Sequence, residues 1–311
     1  MPSREETKKV VEEITNSLKE NKPDISNNSI KTYVSLLKNL FYNHHPKDAP
    51  FNINWFSDKQ HEVLQIVKNK KLSSQQPTLS ALIAVSKHNE QYKAWLLVAI
   101  KENRDSYLDQ EKSDKEKKNW ATFDEIKNTF EIFYNENKHL LKVENRNLLN
   151  NQEWNKLLDL IIFSVTSGYF IPPRRSLDWA EMKINKINTE EDNYIDFDTN
   201  EIVFTKYKMS NLYNAQRSKL PKKLKKILKR FIKLSGDNEY LLTKNNGSKF
   251  TSTDVGNSLN KILGRNISTS MLRHIFLTDF YKDIPHMAEM QQCAYDMGHS
   301  IDSALRYYVK K

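Results

Sequence analysis

The residues best suited to chemistry in this sequence are cations spaced along its second half. The first group lies in the segment 166–179, which reads Thr-Ser-Gly-Tyr-Phe-Ile-Pro-Pro-Arg-Arg-Ser-Leu-Asp-Trp. Two prolines end one helix and suit the first turn of the next. The pattern predicts a helix start beside Arg174 and Arg175, where guanidiniums and free backbone N–H groups favour phosphate. A charged helix start paired with Asp178 or Glu181 is the simpler alternative.

A lysine in a predicted hairpin turn is the second candidate. Lys208 lies in the sequence Tyr-Lys-Met-Ser, just after a short apolar strand pattern. A lysine at a hairpin tip can reach into a groove and deliver a proton when neighbouring cations lower its pKa. Lys206 competes for this role, and most hairpin lysines have no such role.

The third candidate is the motif Ser-Thr-Ser-Met-Leu-Arg-His that begins at Ser268. Ser268 or Thr269 is suited to cap a helix, which places Arg273 and His274 within the first turns of that helix. An arginine so placed is a second phosphate ligand, although a lone histidine is more often a structural residue.

Two further motifs lie close to the C-terminal end. His299 follows a glycine in Met-Gly-His-Ser, and Tyr307 and Tyr308 are two of the fourteen tyrosines. Tyrosine pairs are more often packing residues than nucleophiles. The order and spacing of all the motifs, rather than any one of them, favour a catalytic interpretation.

The order Arg, hairpin Lys, Leu-Arg-His, Gly-His and then Tyr nine residues later resembles the catalytic signature of the tyrosine recombinase (phage integrase) family. The resemblance covers about residues 120–311. It implies catalytic roles for Arg175, Lys208, Arg273, His299 and Tyr308. Arg175 is preferred to Arg174 because Arg175-Ser-Leu-Asp178 reproduces the family's Arg-x-x-acidic spacing, and Tyr307 is the alternative nucleophile.

The sequence departs from the family pattern at two places. Ser270 stands where the family usually has a histidine, so Ser270 and the nearby His274 are kept as further candidates. The first arginine follows Pro172 and Pro173, whereas the family usually places it within about two residues of the glycine. This Pro-Pro-Arg variant resembles integrases of large DNA viruses and eukaryotic mobile elements, which implies integration of a mobile element or viral genome.

The resemblance also implies a mechanism. A tyrosine hydroxyl is a weak nucleophile at its ordinary pKa of about 10, and a cationic pocket favours the phenolate. Its attack on DNA would leave a 3′-phosphotyrosine, from which a second strand's 5′ hydroxyl can reform the phosphodiester. We expect neither a metal nor another cofactor: the sequence contains no convincing metal-ligand spacing and no Gly-rich phosphate loop.

Charge is consistent with a nucleic-acid partner. The formal net charge is +10, and residues 202–235 contain eleven Lys or Arg and no Asp or Glu. Such a surface suits a phosphate backbone, although a solvated lysine-rich helix is the alternative. The residues predicted to contact double-stranded DNA are Lys206, Arg217, Lys219, Lys222 and Lys223. By resemblance, the working unit is a homotetramer on two DNA sites, built from free monomers or dimers.

The elements that position these residues are predicted from apolar periodicity. The first third is all helical, with a helix after Asn27 and further helices at about 57–69, 78–88 and 90–105, of which the second opens after Pro77. The later segments are helices at about 123–135, 151–168, 221–234, 252–263, 270–282 and 286–296. Short strands at 194–197, 202–204 and 216–219 predict a small antiparallel sheet.

The fold class is therefore mainly α with a small antiparallel β-sheet (α+β). We predict a charged, frayed or partly helical arm over residues 1–24 without a sustained apolar stripe, a helical domain over 25–107, a linker over 108–120 and a catalytic domain over 121–311. The resemblance identifies the helical domain as a core-binding (SAM-like) domain, and implies that the two domains form a C-shaped clamp around DNA.

Composition bounds the setting. No apolar stretch approaches the roughly 18 residues of a membrane span, the single cysteine is Cys293, and the charged start resembles no secretory signal. The protein is expected to be soluble and intracellular, wherever its target DNA lies: nucleus, cytoplasm or virion. Two alternatives stay open, namely a type IB topoisomerase-like enzyme with the same residue order, and a DNA-binding regulator from a decayed element, for which Ser270 would mark lost catalysis.

Overall fold

The computed structural model describes residues 4–46, 48–86, 89–105, 111–208, 210, 214–282 and 286–296. Contacts divide these residues into two compact units, one from 1–111 together with 285–311 and the other from 112–284. Each unit contains its own apolar core. No helix of the described residues is both long and apolar enough to cross a membrane.

The first unit is all helical over its described part. Its helices along 4–105 are α1 (Arg4–Asn21), α2 (Asn27–Tyr42), α3 (Trp55–Asp58), α4 (Gln60–Lys68), α5 (Leu72–Val85) and α6 (Glu90–Asp105). The helical prediction for this region is confirmed, and α2 begins as expected, although Ser26 rather than Asn27 provides the cap. Ser26 accepts a hydrogen bond from the Ser29 backbone N–H at 3.2 Å, which satisfies one free donor of the first turn.

Two sequence predictions in this unit were wrong. The arm predicted to lack a sustained apolar stripe has one: Val10, Ile14 and Leu18 recur every four residues and are buried in the core, so the frayed or partly helical arm is a regular helix over its described residues. The helix predicted to open at Thr78, after Pro77, begins six residues earlier, at Leu72, with the proline inside it. Tertiary packing of the apolar residues that follow Pro77 outweighs the cost of the lost backbone donor.

The second unit contains seven more α-helices among its described residues. They are α7 (Asp114–Asn119), α8 (Phe123–Asn137), α9 (Asn151–Thr166), α10 (Ser176–Ala180), α11 (Lys222–Ser235), α12 (Ser252–Leu263) and α13 (Thr269–Phe280). Two 3₁₀ turns, Lys138–Lys142 and Arg146–Leu148, join α8 to α9. The last described helix, α14 (Met287–Asp296), groups with the first unit. The predicted helices of this half of the chain are confirmed within a few residues.

A four-stranded sheet lies in the second unit. Its strands, in spatial order, are β1 (Met182–Lys183), β2 (Asn193–Asp196), β3 (Glu201–Phe204) and β4 (Gln216–Lys219). The pairs β2–β3 and β3–β4 are antiparallel, as predicted. The sheet as a whole is mixed rather than antiparallel, because the two-residue strand β1 pairs in parallel with β2. A strand this short leaves no alternating pattern in the sequence.

The core of the second unit is built around α9, whose side chains from Leu157 to Thr166 are all buried. The amphipathic helix α11 packs on it, with Trp154 stacked on Phe231 at 5.3 Å between ring centroids. The lysines of α11 point outward, as the sequence pattern predicts. A rigid apolar centre of this kind holds the shorter elements that contain the candidate residues.

The segment predicted as a linker contains structure in its described part. Ser113 caps α7 through a capping box with Glu116. Trp120 accepts a hydrogen bond at its carbonyl from Arg265 Nη1 at 2.7 Å, and the Asn266 backbone N–H donates to the Asn119 side chain at 3.0 Å. These contacts fix the end of the segment to the second unit.

Candidate active site

Gly168 ends α9 at the point where the chain turns toward the two prolines. Its φ is +89°, in the region that favours glycine, and a Cβ there would lie 2.9 Å from ring carbons of both Phe123 and Phe276. The turn therefore packs between α8 and α13 only because the residue has no side chain. This fixes where the following Pro-Pro-Arg-Arg segment begins.

The two arginines precede the next helix rather than lying inside it. Arg175 is the N-cap of α10 and is extended, with φ −66° and ψ 148°. The sequence predicted a helix start immediately before Arg174, which was wrong: the extended backbone of Arg175 delays the first helical residue to Ser176. A helix of five residues also offers little dipole, so the two side chains rather than the helix end supply the positive charge.

Arg174 is engaged in the protein interior. Its Nε donates to Asp178 at 3.1 Å, its Nη1 donates to Gln216 at 2.8 Å, and its guanidinium lies 3.8 Å from the centroid of the Phe204 ring. Burial raises the pKa of Asp178, although the cations of Arg174 and Arg175 both act to lower it. The simpler alternative from the sequence, an arginine paired with Asp178, therefore describes Arg174.

Arg175 and Arg273 share a different environment. Both side chains are partly buried, and neither forms a hydrogen bond or ion pair with another described residue. Burial lowers the pKa of Arg273, and the positive charge of Arg175 lowers it further, while Asp178 acts in the opposite direction. The two positive charges therefore act against one another, and a bound anion would offset that repulsion.

A hydrogen-bonded pair joins the elements that contain these two arginines. The hydroxyls of Ser176 and Thr269 lie 2.8 Å apart, and the Ser176 backbone N–H donates to the Thr269 hydroxyl at 3.2 Å. Thr269 is buried. Because Ser176 follows Arg175 directly and Thr269 starts α13, this pair sets the distance between the two helix starts.

Hydrogen bonds from the buried side chain of Asn193 hold the start of the turn that contains Lys208. Asn193, which is fully buried, accepts from the Lys206 backbone N–H at 2.8 Å and donates to the Lys206 carbonyl at 2.9 Å and the Asp178 carbonyl at 3.0 Å. Lys206 forms an ion pair with Glu181 at 3.1 Å. Lys208 is exposed and has no hydrogen bond or ion pair to the rest of the described chain.

Glu181 is the second anchor of this turn. Its carboxylate accepts hydrogen bonds from Lys249 and Lys206, and although burial opposes them, these bonds hold its pKa below the ordinary value. The Lys206 ammonium therefore forms an ion pair, whereas the Lys208 ammonium forms none with a described residue. The sequence could not separate these two lysines.

The motif before α13 adopts the predicted cap. Ser268 accepts from the Met271 backbone N–H at 3.3 Å, whereas Thr269 points to Ser176. Ser270 is exposed. His274 Nδ1 lies 2.9 Å from Glu116 of α7, so its ring forms a contact with the segment before α8. Of this motif, Thr269 contacts the residue next to Arg175, and Arg273 lies one turn further along the same helix.

Three of the predicted catalytic or alternative residues, His299, Tyr307 and Tyr308, lie outside the described residues. The structure therefore brings together Arg175 and Arg273, and links α10 to the turn that contains Lys208. Among the residues that the structure describes, no cluster of three or more His, Cys, Asp or Glu side chains is arranged to hold a metal ion.

Comparison with known proteins gives two structural likenesses. A crystal structure of XerA recombinase matches with 15% identity and a TM-score of 0.32, covering 99% of this chain and 100% of that chain. A structure of the Tn1549 transposon integrase in complex with a circular-intermediate DNA matches with 14% identity and a TM-score of 0.47, covering 96% and 95%. No family model and no curated protein matches the sequence. Neither likeness is strong enough to place the chain in a family.

The predicted DNA-binding residues all lie on exposed or partly exposed surface of the second unit. Lys219, Lys222 and Lys223 are exposed. Arg217 forms an ion pair with Glu201 at 2.9 Å and remains 51% exposed, and Lys206 remains 63% exposed despite its pair. Surface pairs of this kind contribute only about 0–1 kcal/mol, so a phosphate can replace the carboxylate partner.

Sequence reasoning missed Asn193, Gln216 and the role of Thr269. Gln216 is 42 residues from the arginine it contacts, and Asn193 is 13 residues from Lys206. An asparagine and a glutamine that each begin a strand have no distinctive local pattern. Only their burial and their long-range hydrogen bonds identify them.

Proposed function

We propose that this protein is a site-specific DNA recombinase or integrase that cuts and rejoins DNA through a 3′-phosphotyrosine intermediate. One observation supports the proposal most strongly: Arg175 and Arg273 are partly buried, lie on elements joined by the Ser176–Thr269 pair, and form no ion pair with a described residue. Arg174, by contrast, is ion-paired with Asp178. Two partly buried guanidiniums whose N–H donors are not used by an ion pair can bind an anionic oxygen group, and a scissile phosphate fits that requirement.

In the proposed reaction, Arg175 and Arg273 hold the two non-bridging oxygens of the scissile phosphate. Negative charge builds on these oxygens as the pentavalent transition state forms, and fixed donors of this kind commonly contribute about 3–4 kcal/mol each. His299 supplies a third donor. The Ser176–Thr269 pair already fixes the two helix starts beside Arg175 and Arg273, so these two donors need little reorganisation during the reaction.

The bonds and protons balance without a cofactor. The Tyr308 hydroxyl oxygen attacks phosphorus and loses its proton to solvent, the bond from phosphorus to the 5′ oxygen breaks, and Lys208 gives its proton to that oxygen. The product is a 3′-phosphotyrosine, which a 5′ hydroxyl from another strand attacks in the reverse sense. Because the phosphodiester energy is kept in the covalent intermediate, the reaction requires neither ATP nor a metal.

The remaining parts of the proposal concern partners and setting. Double-stranded DNA binds to the basic surface formed by Lys206, Arg217, Lys219, Lys222 and Lys223, and affinity falls steeply with salt. The active assembly is a homotetramer on two DNA sites. The Pro-Pro-Arg segment favours an integrase of a large DNA virus or eukaryotic mobile element, which acts inside a cell, in the nucleus or cytoplasm, wherever that DNA lies.

The proposal is tested with a pool of nicked duplexes whose sequence is randomised on the 5′ side of the nick. After cleavage the short fragment beside the nick diffuses away, so the covalent intermediate accumulates. We expect protein–DNA adducts that resist denaturing electrophoresis and that enrich a defined sequence over rounds of selection. Adducts without sequence enrichment, together with relaxation of supercoiled plasmid, would indicate a topoisomerase. The absence of any adduct would overturn the enzymatic proposal.

A further inference from the structure

The amide of Asn193 forms a buried connection between two separate elements. Its Nδ2 donates both of its hydrogens, one to the Asp178 carbonyl at 3.0 Å and one to the Lys206 carbonyl at 2.9 Å. Its Oδ1 accepts from the Lys206 backbone N–H at 2.8 Å. The residue is 0% exposed, so water cannot replace these bonds if the amide is lost.

The two elements joined by this amide are those that contain candidate chemistry. Asp178 belongs to α10, three residues after Arg175, and Lys206 is two residues before Lys208. The strand pairing between β2 and β3 begins at Tyr194 and Val203, so it does not include Lys206. The side chain of Asn193 therefore holds the chain after β3 to the start of β2, beyond the last backbone pair of the two strands.

The same turn is closed at its other end. The Tyr207 hydroxyl donates to the Asn214 carbonyl at 2.8 Å, and the Tyr207 side chain is buried. The Ser210 backbone N–H donates to the Tyr207 carbonyl at 3.1 Å. The exposed Lys208 thus projects from a turn whose base is fixed on both sides, which limits the region that its ammonium can reach.

We propose that Asn193 is a positioning residue that sets the place of the Lys208 ammonium relative to Arg175. The inference rests on the proposed function, in which Lys208 protonates the departing 5′ oxygen. Its specific content is that loss of the Asn193 amide impairs proton delivery and leaves phosphate binding by the arginines intact. An aspartate at this position would keep an acceptor for the Lys206 N–H but would lack both donors.

A substrate with sulfur in place of the bridging 5′ oxygen separates proton delivery from every other step. A thiol has a pKa of about 8.5, so a thiolate departs without a proton. A defect confined to the proton donor therefore disappears with the sulfur substrate. A defect in folding, DNA binding or phosphate stabilisation slows the oxygen and sulfur substrates equally.

The experiment measures single-turnover cleavage of the selected duplex, in oxygen and sulfur forms, by Asn193→Ala, Asn193→Asp, Lys208→Ala and the wild-type protein. Asn137→Ala is the matched control, because Asn137 is also buried but donates to the Phe133 carbonyl of its own helix at 2.8 Å. Thermal unfolding shows whether each variant is folded. If Asn193→Ala is unfolded, Asn193→Asp is used in its place.

We expect both Asn193 variants to cleave the oxygen substrate about 10²-fold more slowly than wild type, the lower end of what a general acid contributes. The sulfur substrate should restore their rates to within a few-fold of wild type, as for Lys208→Ala, while Asn137→Ala keeps the wild-type ratio. The inference is overturned if Asn193 variants slow both substrates equally or neither. A wild-type protein without an adduct instead overturns the proposed function.

Discussion

The hydroxyl oxygens of Ser176 and Thr269 lie 2.8 Å apart and connect the starts of α10 and α13, which come from segments 93 residues apart in the chain. The Thr269 hydroxyl also accepts the Ser176 backbone N–H at 3.2 Å. In the proposed reaction, this pair holds the two elements from which Arg175 and Arg273 bind the same phosphate. The geometry of the site therefore depends on two small polar side chains that bind no substrate.

Thr269→Val tests this connection, since valine keeps the shape and removes the hydroxyl. Loss of the bond leaves the Ser176 donors without this partner, at a cost of about 1–3 kcal/mol in the free energy of unfolding. The cleavage rate should fall by more than this loss of stability explains, because the positions of Arg175 and Arg273 relative to one another are no longer fixed. The measurements are urea unfolding and single-turnover cleavage under conditions in which the variant is folded.

Ser268→Ala is the control for that experiment. It removes the cap of the same helix, at about 1 kcal/mol, without touching α10. Equal losses of cleavage by the two variants at equal stability would show that α13 as a whole, rather than its bond to Ser176, matters.

Replacing Arg174 should mainly lower stability, whereas replacing Arg175 should mainly lower the cleavage rate. Arg174→Ala leaves the buried carboxylate of Asp178 without its ion pair, and we expect a loss of about 3 kcal/mol in unfolding free energy. Arg175→Ala should change stability by less than about 1 kcal/mol and lower the cleavage rate by about 10²–10³. Thermal unfolding and adduct formation measure both. If Arg174→Ala is folded but does not cleave while Arg175→Ala stays active, Arg174 rather than Arg175 is the catalytic arginine.

Lys206 and Lys208 are separated in the same way. Lys208→Ala should lower cleavage by about 10²–10⁴, as expected for a general acid. Lys206→Ala breaks a surface pair with Glu181 worth at most about 1 kcal/mol, so its cleavage rate should fall by no more than about fivefold. The comparison is made at saturating DNA, where loss of one backbone contact does not limit the rate. A larger defect in the Lys206 variant would make it the proton donor.

Much of the fold could be predicted from local sequence, because apolar periodicity is a local signal. The helices α2, α11 and α12 bury apolar residues at helical spacing, α9 is a long apolar run, and β2 to β4 are short segments between turns, so their bounds follow within a few residues. The stripe of α1 was present too, at Val10, Ile14 and Leu18, but only one residue in four is apolar there. The dense charges around it suggested an arm.

The arrangement of the site could be predicted only in part. The order of the motifs indicates which residue types act together, and the cap at Ser268 is a local pattern. The distinction between Arg174 and Arg175 depends on Gln216 and Phe204, which come from distant strands. The role of Asn193 depends on burial and on partners from two other segments, which no spacing along the chain encodes.

The ion pair between Asp254, in the first turn of α12, and Lys244 predicts that the free energy of unfolding depends on pH. A hydrogen bond from Lys244 at 2.8 Å, together with hydrogen bonds from Thr251, lowers the pKa of Asp254 to about 2. The unfolded value is near 3.9. Because the folded pKa is depressed, the stabilisation is fully present above about pH 4 and is lost as pH falls through about 2.

Asp254→Asn measures this contribution. We expect the variant to be less stable than wild type by about 0.5–1 kcal/mol at neutral pH, the range for a largely solvent-accessible pair. The difference should stay constant down to about pH 4 and shrink below it. Urea unfolding at a series of pH values gives the result. A difference that grows as pH falls would contradict the assignment.

The identity of the residue that becomes linked to DNA tests the central claim most directly. Trypsin cleaves after Arg306, so the adduct formed with the selected duplex should yield the peptide Tyr-Tyr-Val-Lys carrying a nucleotide. Fragmentation by mass spectrometry should place the phosphate on Tyr308, and Tyr308→Phe should form no adduct while it still binds the duplex. A nucleotide on any other residue, or an undiminished adduct with Tyr308→Phe, would contradict the account.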